Sequence, residues 1–173
     1  MSQVTHIADT GSATDQQQER VQIIVFRLGN EEYGLLIDEI KEVVITPPIA
    51  KIPLAPPYIK GVANIRGNIL AIVDLEEKFM LKPAEAEADE RKSHYSLVVE
   101  SPTHKMAILV KEVPNTLSVG RALIDQSPGL IAQTGEHKGY IKGIIKLEKR
   151  LIILIDLLKI ISTRDINNAL QEP

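Results

Sequence analysis

The chain contains no cysteine, and only 3% of its 173 residues are aromatic. Without cysteine there is no disulfide framework, no thiolate nucleophile and no sulfur-ligated metal site. The scarcity of aromatic residues removes the stacking platforms on which single-stranded nucleic acids bind. These absences exclude several classes of enzyme and nucleic-acid-binding protein, and the lack of cysteine suits a cytoplasmic location.

Long hydrophobic runs and a strong net charge are missing as well. Aliphatic runs such as Leu151 to Ile155 are far shorter than the roughly 20 residues that span a bilayer, and the N-terminus lacks the basic and apolar regions of a signal peptide. A net charge of −3 without a lysine or arginine cluster argues against a nucleic-acid partner. The four histidines show no metal-ligand spacing. We therefore expect a cytoplasmic protein that uses no cofactor or metal and does not insert into a membrane.

An internal repeat organises what is present. The stretch YIKGVANIRGNILAIVDL, from Tyr58 to Leu75, returns without a gap as YIKGIIKLEKRLIILIDL, from Tyr140 to Leu157, 82 positions later. Further upstream, Gly34 to Ile40 aligns with Ala107 to Val113 at an offset of 73 positions. One longer loop in the second copy accounts for the difference between the offsets. The chain is one unit built twice, so many residues can be compared with an equivalent in the other copy.

Each copy contains short strands rich in β-branched residues, separated by turns that contain glycine or proline. Short strands at this spacing favour small closed barrels, because closure removes the unpaired edges through which strands aggregate. We predict an all-β fold with one barrel subdomain in residues 21–81 and a second in 94–162, packed side by side and joined by a linker over 82–93. Strands such as Ile23 to Phe26 are apolar on both faces, so their second face needs the sister barrel or a partner.

The segments around these strands carry further signals. Asp74, with Glu77 three residues later, is typical of a capping box that opens a short helix. The other expectations are a flexible polar tail over residues 1–20, an extended proline-rich loop over 46–57, a long loop over 114–139 with one helical turn at 121–125, and a C-terminal helix over 156–168.

Four motifs follow one another along the chain: Glu32-Tyr33-Gly34, Ile40-Lys41-Glu42-Val43, the stretch from Tyr58 to Gly67, and Ile72-Val73-Asp74-Leu75. Their order resembles the CheW family of bacterial chemotaxis coupling proteins, over about residues 21–162. The resemblance implies a single CheW-like domain over 21–168, made of two five-stranded SH3-like barrels with short helices at strand ends, and no catalysis.

The same resemblance implies a function and partners. The protein would be an adaptor that joins a CheA-type histidine kinase, through that kinase's homologous regulatory domain, to the cytoplasmic tip of methyl-accepting chemoreceptors. A coupling protein for pilus-based motility, or for another non-flagellar receptor system, is the alternative within the family. Six positions match those that the family uses for receptor and kinase coupling: Arg66, Glu42, Ile40, Gly61, Val113 and Thr116.

Comparison of the two copies weighs these candidates. Gly61 has a glycine at its equivalent, Gly143, and such identity is most simply a requirement of the fold. Arg66 aligns with Glu148, so a positive charge is not needed to form the hairpin. An exposed arginine is ordinarily just solvated, but its planar fork also suits a carboxylate on a partner. Strand alternation leaves Ile40 open between a core role and a partner contact.

One enzymatic motif supplies a remote alternative. Asp9-Thr10-Gly11-Ser12 matches the active-site signature of aspartic proteases. That chemistry needs two aspartates that share a proton in an apolar cradle. Because the chain contains no second copy of the motif, only a homodimer using Asp9 could supply the pair.

Overall fold

The computed structural model describes residues 19–81, 94–101, 105–126 and 139–161, and these residues form eleven strands and two short α-helices. The strands are β1 Arg20–Leu28, β2 Glu31–Leu36, β3 Ile40–Ile45, β4 Ile59–Ile65, β5 Asn68–Val73, β6 Tyr95–Glu100, β7 Lys105–Val110, β8 Asn115–Gly120, β9 Ile124–Asp125, β10 Ile141–Leu147 and β11 Arg150–Ile155. The helices are α1 Leu75–Lys78 and α2 Leu157–Ile160, and single 3-10 turns occur at Ile37–Glu39 and Arg121–Leu123.

The strands form two mixed sheets. Sheet 1 has the strand order β8-β1-β2-β11-β10-β9, and sheet 2 has the order β3-β6-β7-β5-β4. Neighbouring strands are antiparallel except at β2–β11 in sheet 1 and at β5–β7 in sheet 2. The prediction of an all-β fold with two barrel-like units side by side is therefore confirmed.

The division of the chain between the two units differs from the expectation. Each sheet takes strands from both copies of the repeat, so residues 21–81 and 94–162 do not each close a barrel. The β1–β2 hairpin of the first copy lies between β8 and β11 of the second, and the β6–β7 hairpin of the second copy lies between β3 and β5 of the first. Because the two hairpins are equivalent, their edges can pair with the same kinds of strand. The sequence pattern alone therefore does not show whether a hairpin pairs with strands of its own copy or with strands of the other copy.

The two parallel junctions follow the repeat residue by residue. Leu154 on β11 lies opposite Gly34 on β2, and Ile72 on β5 lies opposite Ala107 on β7. These four residues occupy equivalent positions at the offsets found in the sequence. The hairpin exchange is therefore reciprocal, as in a swapped dimer whose two subunits have been joined into one chain.

Three hydrophobic clusters stabilise this arrangement. The interior of sheet 1 and the interior of sheet 2 are each filled by aliphatic side chains. The largest cluster lies between the two sheets and contains or contacts all six aromatic residues. Along β1, Ile23 and Val25 point into sheet 1 while Ile24 and Phe26 point into this central cluster. The second apolar face predicted for β1 thus packs against the sister sheet.

An aromatic stack lies within the central cluster. Phe79, directly after α1, packs between Tyr33 and Tyr140, with ring centroids 5.9 and 5.8 Å apart. Offset rings at this distance attract each other by about 0.5–1.5 kcal/mol beyond their area burial. Because Tyr33 and Phe79 belong to the first copy and Tyr140 to the second, the stack ties the two copies together.

Some segments differ from the sequence predictions. β1 begins at Arg20, one residue inside the predicted tail, and β8 and β9 lie within the predicted loop 114–139. In β8, Leu117 and Val119 pack on the sheet 1 interior while Thr116 and Ser118 face outward, so this strand is half-buried. The predicted linker, most of the predicted tail and the end of the predicted C-terminal helix lie outside the described residues.

The other predicted segments fall within the described chain. The proline-rich loop carries no strand apart from one isolated bridge between Ala50 and Val62. The helix after Asp74 is confirmed, since the Asp74 carboxylate accepts hydrogen bonds from the backbone N–H groups of Glu76 and Glu77. The other half of the predicted capping box is wrong, because the Asp74 backbone N–H donates to the Tyr58 carbonyl oxygen and not to the Glu77 side chain. Among the described residues, no helix is both long enough and apolar enough to cross a membrane.

Candidate functional site

The hairpin between β4 and β5 ends in a tight turn formed by Arg66 and Gly67. Both residues have positive φ, 52° and 84°, as in the type I′ turn whose twist suits a two-residue hairpin. The Asn64 side chain accepts a hydrogen bond from the Gly67 backbone N–H at 2.9 Å. A residue with a Cβ in this backbone region costs roughly 1–2 kcal/mol, so the turn itself gives no reason for an arginine.

The Arg66 side chain forms an ion pair with a second predicted site residue. Its Nε lies 2.6 Å from Oε2 of Glu42 on β3. The Arg66 side chain is 74% exposed, whereas that of Glu42 is only 21% exposed. Because β3 and β4 are the two outermost strands of sheet 2, the pair forms where the curled sheet brings its edges together. The structure therefore joins two of the six candidates into one exposed charged feature.

A shallow depression lies beside this pair and has a charged rim. Ile65, Leu70 and Val98 line its apolar floor, and its volume of about 20 Å³ has room for roughly one water molecule. On the rim, Lys41 Nζ lies 2.7 Å from a Glu100 carboxylate oxygen. This hydrogen bond lowers the pKa of Glu100 and raises that of Lys41. Such a surface suits contact with a macromolecule and is too shallow to enclose a substrate.

Ile40 and Gly61 occupy positions that the fold itself explains. Ile40 is half-buried and packs against the central cluster. Gly61 has a φ of 142°, and a Cβ at this position would lie 2.0 Å from the carbonyl oxygen of Ala50. The bridge between Ala50 and Val62 brings the proline-rich loop onto β4 at this point, with N–O distances of 2.8 and 2.9 Å. These contacts give both residues a packing role.

Val113 lies in the connection between the two sheets, and Thr116 lies in β8, the strand that follows it. Val113 lies in the irregular segment between β7 and β8, and its side chain is 61% exposed. Thr116 is exposed on β8 and pairs with Ile24 of β1. An exposed apolar residue next to an outermost strand is a reasonable contact point for a partner, and it lies on a different part of the chain from Arg66 and Glu42.

The sequence reasoning missed the ion pairs that link the two copies, which include those of Glu32 and Glu76. Arg150 on β11 binds Glu32 on β2 through two hydrogen bonds, of 3.1 and 2.7 Å. The Arg150 guanidinium lowers the pKa of Glu32, and its own pKa is raised in return. The second pair joins the buried Glu76 to Lys111 at 2.9 Å. Position 76 is leucine in the second copy, and this contrast was the available signal.

The described residues also bear on metal binding. They contain no group of three or more histidine, cysteine, aspartate or glutamate side chains placed to hold a metal ion. The candidate protease motif at Asp9 lies outside the described residues.

Comparisons with known proteins agree with this fold. A family model described as CheW-like domain matches residues 22–165. The chemotaxis protein CheW of Treponema pallidum is 28% identical over 148 residues, with 86% of each chain covered. The chemotaxis protein CheW of Klebsiella aerogenes is 30% identical over 144 residues, with 83% of each chain covered. This chain is also similar to the protein PilI of Pseudomonas aeruginosa over a shorter stretch, with 40% identity over 62 residues, which is 34% of this chain.

A solved structure shows a similar fold. The scaffolding protein TtCheW from Thermoanaerobacter tengcongensis superposes with a TM-score of 0.67 at 29% identity, covering 80% of this chain and 86% of that one. Since the family model spans most of the sequence and the two-sheet fold is matched as well, the chain belongs to the CheW-like domain family.

Proposed function

We propose that this protein is a non-catalytic adaptor that couples methyl-accepting chemoreceptors to a CheA-type histidine kinase in the cytoplasm. Membership of the CheW-like family supports an adaptor role in chemotaxis. The observation that carries the proposal to particular residues is the Arg66–Glu42 pair. Arg66 is largely exposed on a strained turn, and neither the turn type nor the sister hairpin calls for its charge.

Arginine at this position suits a protein contact for a physical reason. A guanidinium offers five N–H donors, and its Nε is the atom nearest to Glu42. The remaining donors of an exposed side chain can reach a carboxylate or carbonyl group on a partner. Glu42 would hold the guanidinium in one orientation and so reduce the side-chain entropy lost on binding.

The two-sheet architecture suggests how two partners could bind at once. One barrel-like unit would contact the homologous regulatory domain of the kinase. Arg66 and Glu42 would lie either in this contact or in the contact with the receptor. The helical tip of the receptor would lie in the groove between the units. The two signalling states of the receptor would bind the adaptor with different affinities. A change of receptor state would therefore shift the equilibrium between the conformations of the kinase.

A titration tests the proposal. The full-length protein, and a chain without residues 1–18, are titrated calorimetrically against the regulatory domain of a CheA-type kinase from the same genome. Both are then tested against a cytoplasmic receptor fragment. We expect saturable binding of both chains at roughly micromolar or tighter Kd. Absence of binding to every kinase domain and every receptor fragment of that genome would leave the fold standing and contradict the proposed function.

A second candidate changes the signalling system and keeps the adaptor role. The stretch of 40% identity to the protein PilI favours a coupling protein of a pilus-motility or other non-flagellar system, although it covers only 34% of the chain. Titrations against the kinases of each chemosensory system in the genome separate the candidates, because the cognate kinase should bind most tightly. Peptidase activity lost on removal of residues 1–18 would instead point to the remote protease alternative at Asp9.

A further inference from the structure

An open groove lies along the seam of sheet 1, between β8 and the end of β10, with a volume of about 330 Å³. Its apolar lining consists of Leu117, Val119, Ala122, Leu123 and Leu147. β9 is only two residues long and pairs with Ile144 and Ile145 of β10. The last residues of β10 and the outer edge of β8 therefore stay apart, and the groove lies between them.

Two features of this groove call for a cover. Leu123 in its lining is 50% exposed, and β8 is an outermost strand that pairs only with β1 among the described strands. An open strand edge beside apolar side chains promotes aggregation, and proteins generally cover such edges. Because the groove follows the edge of a strand, an extended segment of polypeptide can both fill it and pair with β8.

The polypeptide upstream of β1 is attached at the rim of this groove. The Glu19 carbonyl oxygen accepts a hydrogen bond from the Arg121 backbone N–H at 2.8 Å, and the two side chains form an ion pair. The Arg20 guanidinium donates to the hydroxyl and to the carbonyl oxygen of Ser118, both at 3.0 Å. These contacts fix Glu19 and Arg20 against β8 and the turn that follows it, so residues 1–18 are tethered beside the groove.

The composition of residues 1–18 matches the groove. Val4 and Ile7 supply β-branched aliphatic side chains for its apolar lining. The segment contains Asp9 and Asp15 and no lysine or arginine, whereas Arg20 is the only charged side chain among the described residues that line the groove. The segment has too few apolar residues to form a core of its own, so its ordering has to come from contact with the rest of the protein.

The length of the tether allows this contact. Ile7 lies 12 positions before Glu19, and an extended chain covers about 3.3 Å per residue, so the link reaches about 40 Å. The six-residue strand β8 is only about 20 Å long by the same measure. A link this short holds the segment at a roughly millimolar effective concentration. Even a weak contact is then enough to keep the groove filled for much of the time.

We propose that residues 1–18 fold back into this groove, with Val4 and Ile7 against Leu123 and Leu147 and the segment alongside β8. The contact covers the apolar lining and the open strand edge within one molecule. It goes beyond the proposed adaptor function and does not depend on it, because neither the kinase nor the receptor takes part.

A spin label on the segment tests the proposal. Because the chain has no cysteine, Thr10→Cys gives a single site for a nitroxide in the full-length protein. We expect the label to broaden the amide signal of Leu147, which lines the groove from β10, on the side away from Arg20. In the same labelled chain with Val4→Asp/Ile7→Asp, this broadening should fall roughly tenfold, because two aliphatic side chains leave the groove.

A matched pair of variants tests the groove itself. Leu123 and Leu151 are 50% and 46% exposed, so a charged residue at either position should leave the fold intact. Leu123→Glu should reduce the broadening at Leu147 as the aspartate variant does. Leu151 lies on β11 and outside the groove, so Leu151→Glu should leave the broadening unchanged.

Several results would overturn the proposal. Equally strong broadening with Val4→Asp/Ile7→Asp would show only that the segment is attached nearby, and no broadening in the wild-type segment would leave the groove to another occupant. Broadening that passes from a labelled chain to an unlabelled, isotope-enriched chain would show that a second copy supplies the segment. Equal losses in Leu123→Glu and Leu151→Glu would also contradict it. Failed titrations against the kinase and the receptor would contradict the adaptor function and leave this contact standing.

Discussion

At the scale of single residues, the repeat separates fold requirements from candidate contacts. Gly61 and Gly143 are both buried, and an added Cβ would clash at each, 2.0 Å from Ala50 and 2.5 Å from Ile124. Arg66 and its equivalent Glu148 are both exposed and opposite in charge. Comparison of the copies marked Arg66 as a candidate contact from the sequence. It did not predict the contact with Glu42, because that contact exists only once sheet 2 has curled.

Reversal of the charge at position 66 tests whether Arg66 contacts a partner. Arg66→Asp should weaken partner binding by tenfold or more, a change of about 1.4 kcal/mol, because the guanidinium is lost and Glu42 is repelled. The thermal midpoint should hardly move, since an exposed ion pair contributes only about 0–1 kcal/mol and aspartate tolerates positive φ. Calorimetry and thermal melting measure the two effects.

The control for that variant is another exposed, paired arginine. Arg121 is 65% exposed and lies 3.1 Å from Glu19, so Arg121→Ala removes a comparable ion pair at a place with no proposed partner contact. Binding should be unchanged in this variant. A large loss of stability in Arg66→Asp would instead show that Arg66 serves the fold.

Substitution of Gly61 tests the packing role assigned to it. Gly61→Ala should lower the free energy of unfolding by at least about 3 kcal/mol, because the methyl group meets the Ala50 carbonyl and φ is positive. Gly67→Ala is the matched control: its φ is also positive, 84°, but nothing lies within 4 Å of the added Cβ. The control should lose only about 1–2 kcal/mol in urea titrations. Equal losses in the two variants would contradict the packing argument.

At the scale of secondary-structure elements, a strand that is buried on both faces was easier to predict from the sequence than a strand that is buried on one face. β1 is apolar on both faces, and the sequence predicted both the strand and the need for a second packing surface. The sequence predicts a loop where β8 lies, because Pro114, Asn115, Ser118 and Gly120 are residues typical of turns. Only Leu117 and Val119 mark its inner face, and two apolar residues are too few to define a period.

The two short helices offer a prediction at this scale. Asp74 caps α1 through hydrogen bonds of 2.9 and 3.3 Å to backbone N–H groups. The equivalent Asp156 stands before α2 without a side-chain cap bond. Asp74→Ala should therefore lower the free energy of unfolding by about 1 kcal/mol, and Asp156→Ala by clearly less. Denaturant titration of both variants measures the difference. A larger loss in Asp156→Ala than in Asp74→Ala would contradict the capping role of Asp74.

At the scale of the whole molecule, the exchange of hairpins makes the two copies interdependent. The central cluster is shared, and each sheet needs strands from both copies. The all-β class, the duplication and the side-by-side arrangement followed from the sequence. The assignment of hairpins to sheets did not, because two copies with the same edges are interchangeable until their loops and central contacts are fixed in three dimensions.

Separation of the copies tests this interdependence. Residues 1–88 and 89–173 are produced as separate chains. Each alone should lack cooperative unfolding, because each lacks the hairpin that fills the middle of its sheets. Mixed in equal amounts, they should form a folded one-to-one complex. Circular dichroism and size-exclusion chromatography follow both steps. Independent folding of either half would contradict the reciprocal exchange.

The same exchange has a consequence for synthesis on the ribosome. In sheet 1, Arg20 on β1 pairs with Gly120 on β8. The sheet also needs β11, which ends at Ile155. Neither sheet can close while only the first copy has emerged. The β1–β2 hairpin can form, but β1 waits with both apolar faces uncovered and without β8, the partner of its other edge. Translation at roughly 5–20 residues per second makes this wait several seconds long. The nascent first half is therefore the stage at which this protein is most vulnerable to aggregation and most dependent on chaperones.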